Sequence, residues 1–129
     1  MSTQAQLRNR YAREAVTTAT PAQLVVMLYD RFLKDLTTAE AGLGANDLMG
    51  THNALMHAQE IVRELDTSLD ITVWKEGESL KRLYAWVLEE LMNANLEKDA
   101  THIANAREVM QPLRDTWAEL AHNGITGER

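Results

Sequence analysis

The sequence has no cysteine, and proline occurs only at positions 21 and 112. Without cysteine the chain forms neither disulfides nor a thiolate metal site, and nothing calls for an oxidising compartment. No stretch approaches the roughly 18 apolar residues of a membrane-spanning helix, and residues 1–15 lack the apolar segment of a secretory signal. The 129 residues suit one domain. We therefore expect a single cytoplasmic domain that does not enter a membrane.

Positive charge is also scarce in this chain. The formal net charge is -6, which repels phosphate backbones and argues against a nucleic-acid partner. The first 17 residues are the exception, because Arg8, Arg10 and Arg13 outnumber Glu14 there. Since the remainder is acidic, this basic segment is suited to lie against the body of the protein.

Helical periodicity is the main positive signal. Apolar residues recur at intervals of three and four, which predicts α-helices. Residues 1–17 carry too few apolar side chains to hold a helix by packing, so we expect a mobile or short-helical N-terminal arm. Amphipathic segments follow at about 21–44, 47–65, 79–95 and 99–121. They predict an all-α protein, an antiparallel four-helix bundle over residues 20–121 with a flexible tail at 122–129.

Local residues mark several boundaries of the predicted helices. Thr20 followed by Pro21 predicts the start of the first helix. The threonine hydroxyl is suited to cap the helix by accepting a hydrogen bond from a backbone N–H of the first turn, and proline has no N–H that would be left without a partner there. Residues 66–79 break the helical period, so we expect a long loop in which Trp74 is exposed or pinned on the bundle. Pro112 lies inside the fourth predicted helix and should kink it.

Catalytic motifs are few. A di-iron bundle requires two Glu-x-x-His pairs on separate helices plus two glutamates, and only Glu119 and His122 form such a pair. His52 and His57 face different sides of a helix, and His102 stands alone. There is no phosphate-binding loop and no nucleophile elbow. We therefore expect no catalysis, no metal and no cofactor, with a small di-iron enzyme as the alternative.

Surplus apolar surface is more informative than any catalytic motif. Residues 24–29 are apolar on every side, whereas a bundle helix needs only one apolar face. Trp86 falls beside the main stripe of its helix and indicates a second, outward face. Met27, Met110 and Trp117 occupy stripe positions, which favours the core. The surplus is typical of a protein that binds a helical polypeptide in a groove, or of a structural bundle that associates with itself.

Several motifs in this order resemble a known family. The opening segment contains Tyr11, Val16, Thr18-Ala19-Thr20-Pro21, Leu24, Met27, Leu28, Tyr29 and Asp30. The match continues with Ala58-Gln59-x-Ile61-Val62-x-Glu64-Leu65, Leu83-Tyr84, Ala94-Asn95-Leu96-x-x-Asp99 and Leu113-Arg114-Asp115-x-Trp117. These motifs span nearly the whole chain and resemble the flagellar secretion chaperone family, FliS.

The resemblance implies a helical bundle without enzymatic activity that binds the disordered C-terminal region of flagellin in helical form. It further implies that the protein prevents premature polymerisation of flagellin and assists its export by the flagellar type III secretion system. The export gate is then a further candidate partner. The chaperone is expected to be a monomer or a weak homodimer.

The same resemblance predicts the residues of the binding groove and of an arm that covers it when empty. Tyr11 and Val16 match the arm, and Leu24, Met27 and Leu28 match positions at or near the groove. Further groove candidates, whose helical spacing suits the core equally well, are Ile61, Leu65, Tyr84, Trp86, Val87 and Leu91.

Three positions depart from the family pattern. Arg31 stands where members commonly have glycine, and Glu89 and Glu90 stand where they commonly have a basic pair. The second departure reverses the charge of one face, which removes any electrostatic contact that relies on the basic pair.

Overall fold

The computed structural model describes residues 20–69 and 76–125, with side chains described as far as residue 123. Within these ranges the chain forms four α-helices and no strand: α1 is Pro21–Gly44, α2 is Leu48–Thr67, α3 is Gly77–Glu97 and α4 is Ala100–Ile125. The predicted all-α fold is confirmed. The N-terminal arm, Trp74 and the last four residues lie outside the described part of the chain.

Thr20 and Pro21 begin α1 as predicted. The Thr20 hydroxyl accepts a hydrogen bond from the backbone N–H of Gln23 at 3.1 Å, and the Gln23 side chain accepts one from the backbone N–H of Thr20 at 2.8 Å. This reciprocal pair satisfies two donors that a helix start leaves free, and Pro21 has no N–H to satisfy. The start of α1 therefore follows from neighbouring residues alone.

A tight turn joins α1 to α2. Asn46 adopts a positive φ of 59°, a conformation that asparagine tolerates better than most residues. The backbone N–H of Asp47 then donates to the carbonyl of Gly42 at 2.7 Å, and the Asp47 carboxylate caps α2 by accepting from the N–H of Gly50 at 3.0 Å. The turn reverses the chain, so α2 runs antiparallel to α1.

Each helix of the bundle packs against two neighbours. α1 contacts α2 and α4, and α3 contacts the same two helices. Ion pairs fix the direction of α4 relative to α1. Arg114 donates to Asp30 at 2.7 Å, and Arg107, two turns further back along α4, donates to Glu40. Later residues of α1 thus meet earlier residues of α4, which makes these two helices antiparallel.

The two ends of the bundle differ. At the hairpin end, residues 42–52 turn from α1 to α2 and residues 95–102 turn from α3 to α4, and the amide of Asn95 bonds to His52 at 2.9 Å. At the open end, α1 and α3 begin and α2 and α4 finish, and Lys81 pairs with Asp66 at 3.2 Å. Each end therefore presents a separate surface.

The core lies along the bundle axis. Tyr29 of α1 and Tyr84 of α3 meet across it, with their hydroxyl oxygens 2.7 Å apart. The other large, fully buried side chains are Phe32, Leu36, Leu55, Val62, Leu65, Val87, Leu91, Ile103 and Met110. Among the described helices, none is long and apolar enough to cross a membrane.

Three helices extend beyond their predicted limits. α2 ends at Thr67, two residues later than predicted. α3 begins at Gly77 and ends at Glu97, two residues beyond each predicted limit. α4 continues through Pro112 to Ile125, so residues 122–125, predicted as part of a flexible tail, are helical. Ala121 is buried and anchors the last turn of α4 to the bundle, which explains the extension.

Candidate binding groove

An apolar groove opens between α3 and α4 at the open end of the bundle. It encloses about 530 Å³. Leu80 and Leu83 line it from α3, and Leu113, Trp117 and Leu120 line it from α4. The remaining lining residues are Glu76, Ser79 and Thr116. Among the described residues, Glu76 is thus the one charged side chain in the lining.

Helical spacing places the α4 side of the groove in one row. Leu113, Trp117 and Leu120 are separated by four and three residues, so they lie on one face of the helix. Leu113 and Trp117 are half-buried against the core, whereas Leu120 is 53% exposed at the mouth of the groove. The row therefore runs from the core to solvent.

Packing against the core holds Trp117 in position. The same core contains Tyr29 and Tyr84, whose hydroxyl oxygens are 2.7 Å apart. Burial raises the pKa of Tyr29 and of Tyr84 above the ordinary value of 10.0, so both hydroxyls remain protonated at neutral pH. Through Trp117 the groove thus lies directly against the core of the bundle.

The groove is built for binding apolar side chains. Its volume lies within the roughly 300–1,000 Å³ of typical ligand pockets. An amphipathic helix inserts side chains at spacings of three, four and seven into such a groove. No lysine, arginine or histidine lines it. What the groove offers to a ligand is therefore apolar burial, with a single carboxylate at its edge.

Four of the predicted site residues are accessible at the surface. Leu24, Met27 and Trp86 are 36%, 44% and 37% exposed, and Leu28 is half-buried. Trp86 follows the groove residue Leu83 by three positions, so it extends the same face of α3. The exposure of Met27 shows that its assignment to the core was wrong, whereas Met110 is fully buried as predicted.

The other described candidates belong to the core. Their side chains are at most 5% exposed because they face the bundle axis: Ile61, Leu65, Tyr84, Val87 and Leu91. Their helical spacing was compatible with either the groove or the core, and the structure places them in the core. Tyr11 and Val16 lie outside the described residues, so their assignment to a covering arm stays a prediction.

None of the five apolar residues that line the groove was among the predicted site residues: Leu80, Leu83, Leu113, Trp117 and Leu120. They continue the apolar stripes of their helices, and Trp117 was predicted to belong to the core. One available signal was that the stripe of α4 extends to Leu120, close to the end of the helix, where fewer partners remain to cover it. The sequence alone does not reveal which part of an apolar stripe is left uncovered by the neighbouring helices.

Two departures from the family pattern have structural partners. Arg31 pairs at 3.4 Å with Asp35, a nearly buried carboxylate that also contacts His57. Glu90 accepts hydrogen bonds from His102 and Asn105 of α4, so its charge serves the contact between α3 and α4. These charges are part of the fold.

The metal-binding alternative finds no support at its predicted residues. Glu119 and His122 are both exposed on the last turns of α4. In the described ranges, the one group of three side chains spaced to hold a metal ion is Glu97, Asp99 and His102, at the other end of the bundle. His102 there bonds through both ring nitrogens to glutamates. A di-iron site at Glu119 and His122 therefore lacks further ligands among the described residues.

A helical bundle with an exposed apolar groove is typical of small helical proteins that bind other polypeptides. The family model described as flagellar protein FliS matches residues 3–124. The chain therefore belongs to the FliS family. Membership gives it a chaperone role in flagellar export and implies that it is not an enzyme.

Similar proteins agree with this assignment. The flagellar secretion chaperone FliS of Bacillus subtilis is 28% identical over 109 residues, which cover 84% of this chain and 81% of that protein. Its counterpart in Escherichia coli is 32% identical over 107 residues, with coverages of 81% and 79%. A crystal structure of a flagellar chaperone from bacteria superposes with a TM-score of 0.74 at 22% identity, over 93% of this chain and 98% of the other. The last comparison shows a shared fold.

Proposed function

We propose that the protein is a cytoplasmic chaperone that binds the disordered C-terminal segment of flagellin as an amphipathic helix in the groove between α3 and α4. Binding there prevents premature polymerisation of flagellin and assists its export by the flagellar type III secretion system. The observation that carries the proposal is the groove of about 530 Å³ lined by leucines and Trp117. Family membership supplies the export pathway.

Physical chemistry supports this use of the groove. Folding of a disordered segment upon binding typically buries on the order of 1,000–3,000 Å², which offsets the cost of ordering the segment. One groove is too small for that area, so the cargo must extend over further apolar surface. Exposed Trp86 continues the α3 side of the groove, and Leu24, Met27 and Leu28 add apolar surface on α1 at the same end.

The empty groove requires protection from solvent. The basic residues of the N-terminal arm are attracted to the acidic body, and Tyr11 and Val16 supply apolar side chains. We propose that this arm covers part of the groove until cargo displaces it. The export gate is a further proposed partner, and the free chaperone is proposed to be a monomer or a weak homodimer that needs no metal or cofactor.

Calorimetry with a peptide from the C-terminal end of the host's flagellin tests the proposal. We expect one-to-one binding with a negative heat-capacity change. Leu120→Glu places a charge at the mouth of the groove and should weaken binding more than about tenfold. Because Leu120 is 53% exposed, the variant should fold normally, which circular dichroism checks.

Leu96→Glu is the matched control. Leu96 is 83% exposed and lies at the hairpin end, so the same substitution there should leave the affinity for the flagellin peptide unchanged. Wild-type affinity in Leu120→Glu would exclude the groove as the cargo site. No saturable binding to the wild type would exclude this cargo altogether.

A further inference from the structure

A second apolar surface lies at the hairpin end of the bundle, on the side formed by α2 and α3. Met49 and Met56 of α2 are 67% and 41% exposed, and Met92 and Leu96 of α3 are 49% and 83% exposed. We call these four side chains the methionine face. They are four of the nine large apolar side chains that are exposed in the described residues. Such clustering on one side is typical of an interaction surface.

A cavity of about 470 Å³ lies within this surface. Met56, Met92 and Leu96 line it together with His52, Gln59, Asn95 and Lys98. No carboxylate of the described residues lines the cavity, although the whole chain carries 19 acidic residues. Glu97 and Asp99 flank Lys98 in the chain but lie outside this lining, and Glu97 bonds to His102.

Lys98 supplies the positive charge at the edge of this cavity. Its ammonium donates to the backbone carbonyl and to the side-chain oxygen of Asn95 at 2.6 and 2.7 Å. No carboxylate of the described residues forms an ion pair with it. Asn95 also bonds to His52 at 2.9 Å, so these polar groups form one connected cluster. The ammonium is held in place and retains the capacity to pair with an acidic group.

The backbone of Lys98 is strained. Lys98 ends α3 in the left-handed conformation, with φ 53° and ψ 47°, where glycine is the usual residue. A lysine side chain makes this conformation less favourable than glycine would. A strained backbone conformation that the surrounding structure maintains indicates a role for the side chain of that residue. At Lys98 the hydrogen bonds from the ammonium to Asn95 maintain the conformation.

We propose that the methionine face docks an amphipathic helix of a second polypeptide, distinct from the export cargo, whose acidic side chain pairs with Lys98. Flexible methionine side chains adapt to the apolar stripe of such a helix. The carboxylate-free cavity and the oriented ammonium favour an acidic residue beside that stripe.

A second copy of this chain suits the face less well. In a two-fold symmetric contact each copy presents the same surface to the other. The cavity would then meet another carboxylate-free cavity, and Lys98 would gain no acidic partner from it. Both copies would also bring a net charge of -6. The charge pattern therefore favours a different, acidic partner.

The two surfaces lie at opposite ends of the bundle. The groove opens between α3 and α4 at the open end, and the methionine face lies on α2 and α3 at the hairpin end. Occupation of one therefore leaves the other accessible. The chaperone is able to hold its cargo and a second protein at once, and this inference does not depend on which polypeptide fills the groove.

Fluorescence anisotropy with labelled model peptides tests the proposal on the full chain. The probe is an amphipathic helix of about 18 residues with a leucine and methionine stripe flanked by glutamates, and its counterpart has glutamines instead. We expect the glutamate peptide to bind about two- to fivefold more tightly than the glutamine peptide. Leu96→Glu should weaken both peptides more than about tenfold.

Lys98→Gly separates the role of the charge from that of the fold. Glycine relieves the left-handed backbone, so the melting temperature should be unchanged or higher, whereas the preference for the glutamate peptide should disappear. Lys34→Ala is the matched control, because Lys34 is an exposed lysine of α1 that forms no ion pair among the described residues. That variant should keep the preference.

Three results would overturn the proposal. The first is equal binding of the two peptides to the wild type, or an unchanged preference in Lys98→Gly. The second is weaker binding of the flagellin peptide by Leu96→Glu, which would assign the methionine face to the cargo. The third is a dimer, detected by sedimentation velocity, that Leu96→Glu dissociates. The proposal for the groove fails separately, if Leu120→Glu keeps wild-type affinity for the flagellin peptide.

Discussion

Gly42 occupies the closest approach between α1 and α2. A Cβ atom at this position would collide with the Thr51 hydroxyl and would lie 3.0 Å from the carbonyl of Asp47. Thr51 is fully buried and donates to the carbonyl of Ala39 at 3.1 Å, so it has no room to move away. The absence of a side chain at Gly42 therefore allows α1 and α2 to pack this closely at the turn.

We expect Gly42→Ala to lower the free energy of unfolding by about 1–3 kcal/mol, because the added methyl group overpacks a buried contact. Gly44→Ala is the control, since nothing lies within 4 Å of a Cβ atom there. That variant should raise the free energy of unfolding by up to about 1 kcal/mol, because alanine favours the helix. Urea unfolding followed by circular dichroism measures both. A Gly42→Ala variant as stable as the wild type would contradict the packing argument.

At the scale of elements, α3 and α4 are tied together by an ionic cluster near the hairpin end. His102 of α4 contacts Glu90 through Nδ1 at 3.0 Å and Glu97 through Nε2 at 3.2 Å. The hydrogen bond to Glu90 raises the pKa of His102 above its ordinary value of 6.5, with a further contribution from Glu97. Burial raises the pKa of Glu90, but hydrogen bonds from Asn105 and His102 outweigh it and leave that pKa below 4.5.

These shifts predict how stability depends on pH. The raised pKa of His102 stabilises the fold below pH 6.5, and this contribution is lost as pH rises through the pKa of the folded state. The lowered pKa of Glu90 stabilises the fold above pH 4.5, and this contribution is lost as pH falls through its folded pKa. Stability from the cluster should therefore be greatest between these two limits.

His102→Gln should flatten this dependence, measured as the free energy of unfolding in urea from pH 4 to pH 9. His122→Gln replaces an exposed histidine of the same helix and should keep the wild-type profile. NMR titration of the ring protons should show His102 titrating above its ordinary value. An identical profile in His102→Gln and the wild type would exclude the cluster as its source.

At the scale of the whole molecule, the paired tyrosines join α1 and α3 across the bundle, and Trp117 of α4 packs against the same core. The pKa of both tyrosines is raised chiefly by burial. In the unfolded chain they ionise near pH 10, so stability should fall as pH rises above that value, by up to about 1.4 kcal/mol per pH unit for each tyrosine. The double variant Tyr29→Phe, Tyr84→Phe should show a smaller decrease between pH 10 and 11. Equal slopes in urea unfolding would contradict this account.

The whole molecule also separates two binding surfaces. The groove near Trp117 has a carboxylate at its edge, whereas the cavity of the methionine face has the ammonium of Lys98. Opposite local charges at opposite ends allow the two surfaces to select different partners. In most protein interfaces, burial of apolar side chains in the centre supplies affinity, and charged groups at the edge supply specificity.

The starts of α1 and α2 were predicted more closely than the end of α4. Thr20 and Asp47 form capping hydrogen bonds to residues three positions away, so sequence alone reveals them. The end of α4 was placed four residues too early, because burial of Ala121 against the bundle extends the helix beyond its local signals. Local chemistry thus decided the starts of α1 and α2, and packing decided the end of α4.

The candidate site was predicted only in part. Leu24, Met27, Leu28 and Trp86 are accessible, as their assignment to the groove implied, although helical spacing had favoured the core for Met27. The groove between α3 and α4 is lined by other apolar residues, such as Leu113 and Leu120, that were not predicted as site residues. Periodicity identifies the apolar face of a helix and does not identify what covers it. Ile61 and Leu120 both belong to apolar stripes, yet Ile61 is buried in the core and Leu120 is 53% exposed to solvent.

The sequence by itself determined the family, the four helices, their order and the start of α1, because these depend on motifs and on interactions between close residues. Only the tertiary structure decided which apolar residues form the core, where the groove opens and that Lys98 lies beside the methionine face. Those properties depend on which surfaces of different helices meet. Such contacts join residues far apart in the chain, as when Tyr29 meets Tyr84, and no local pattern specifies them.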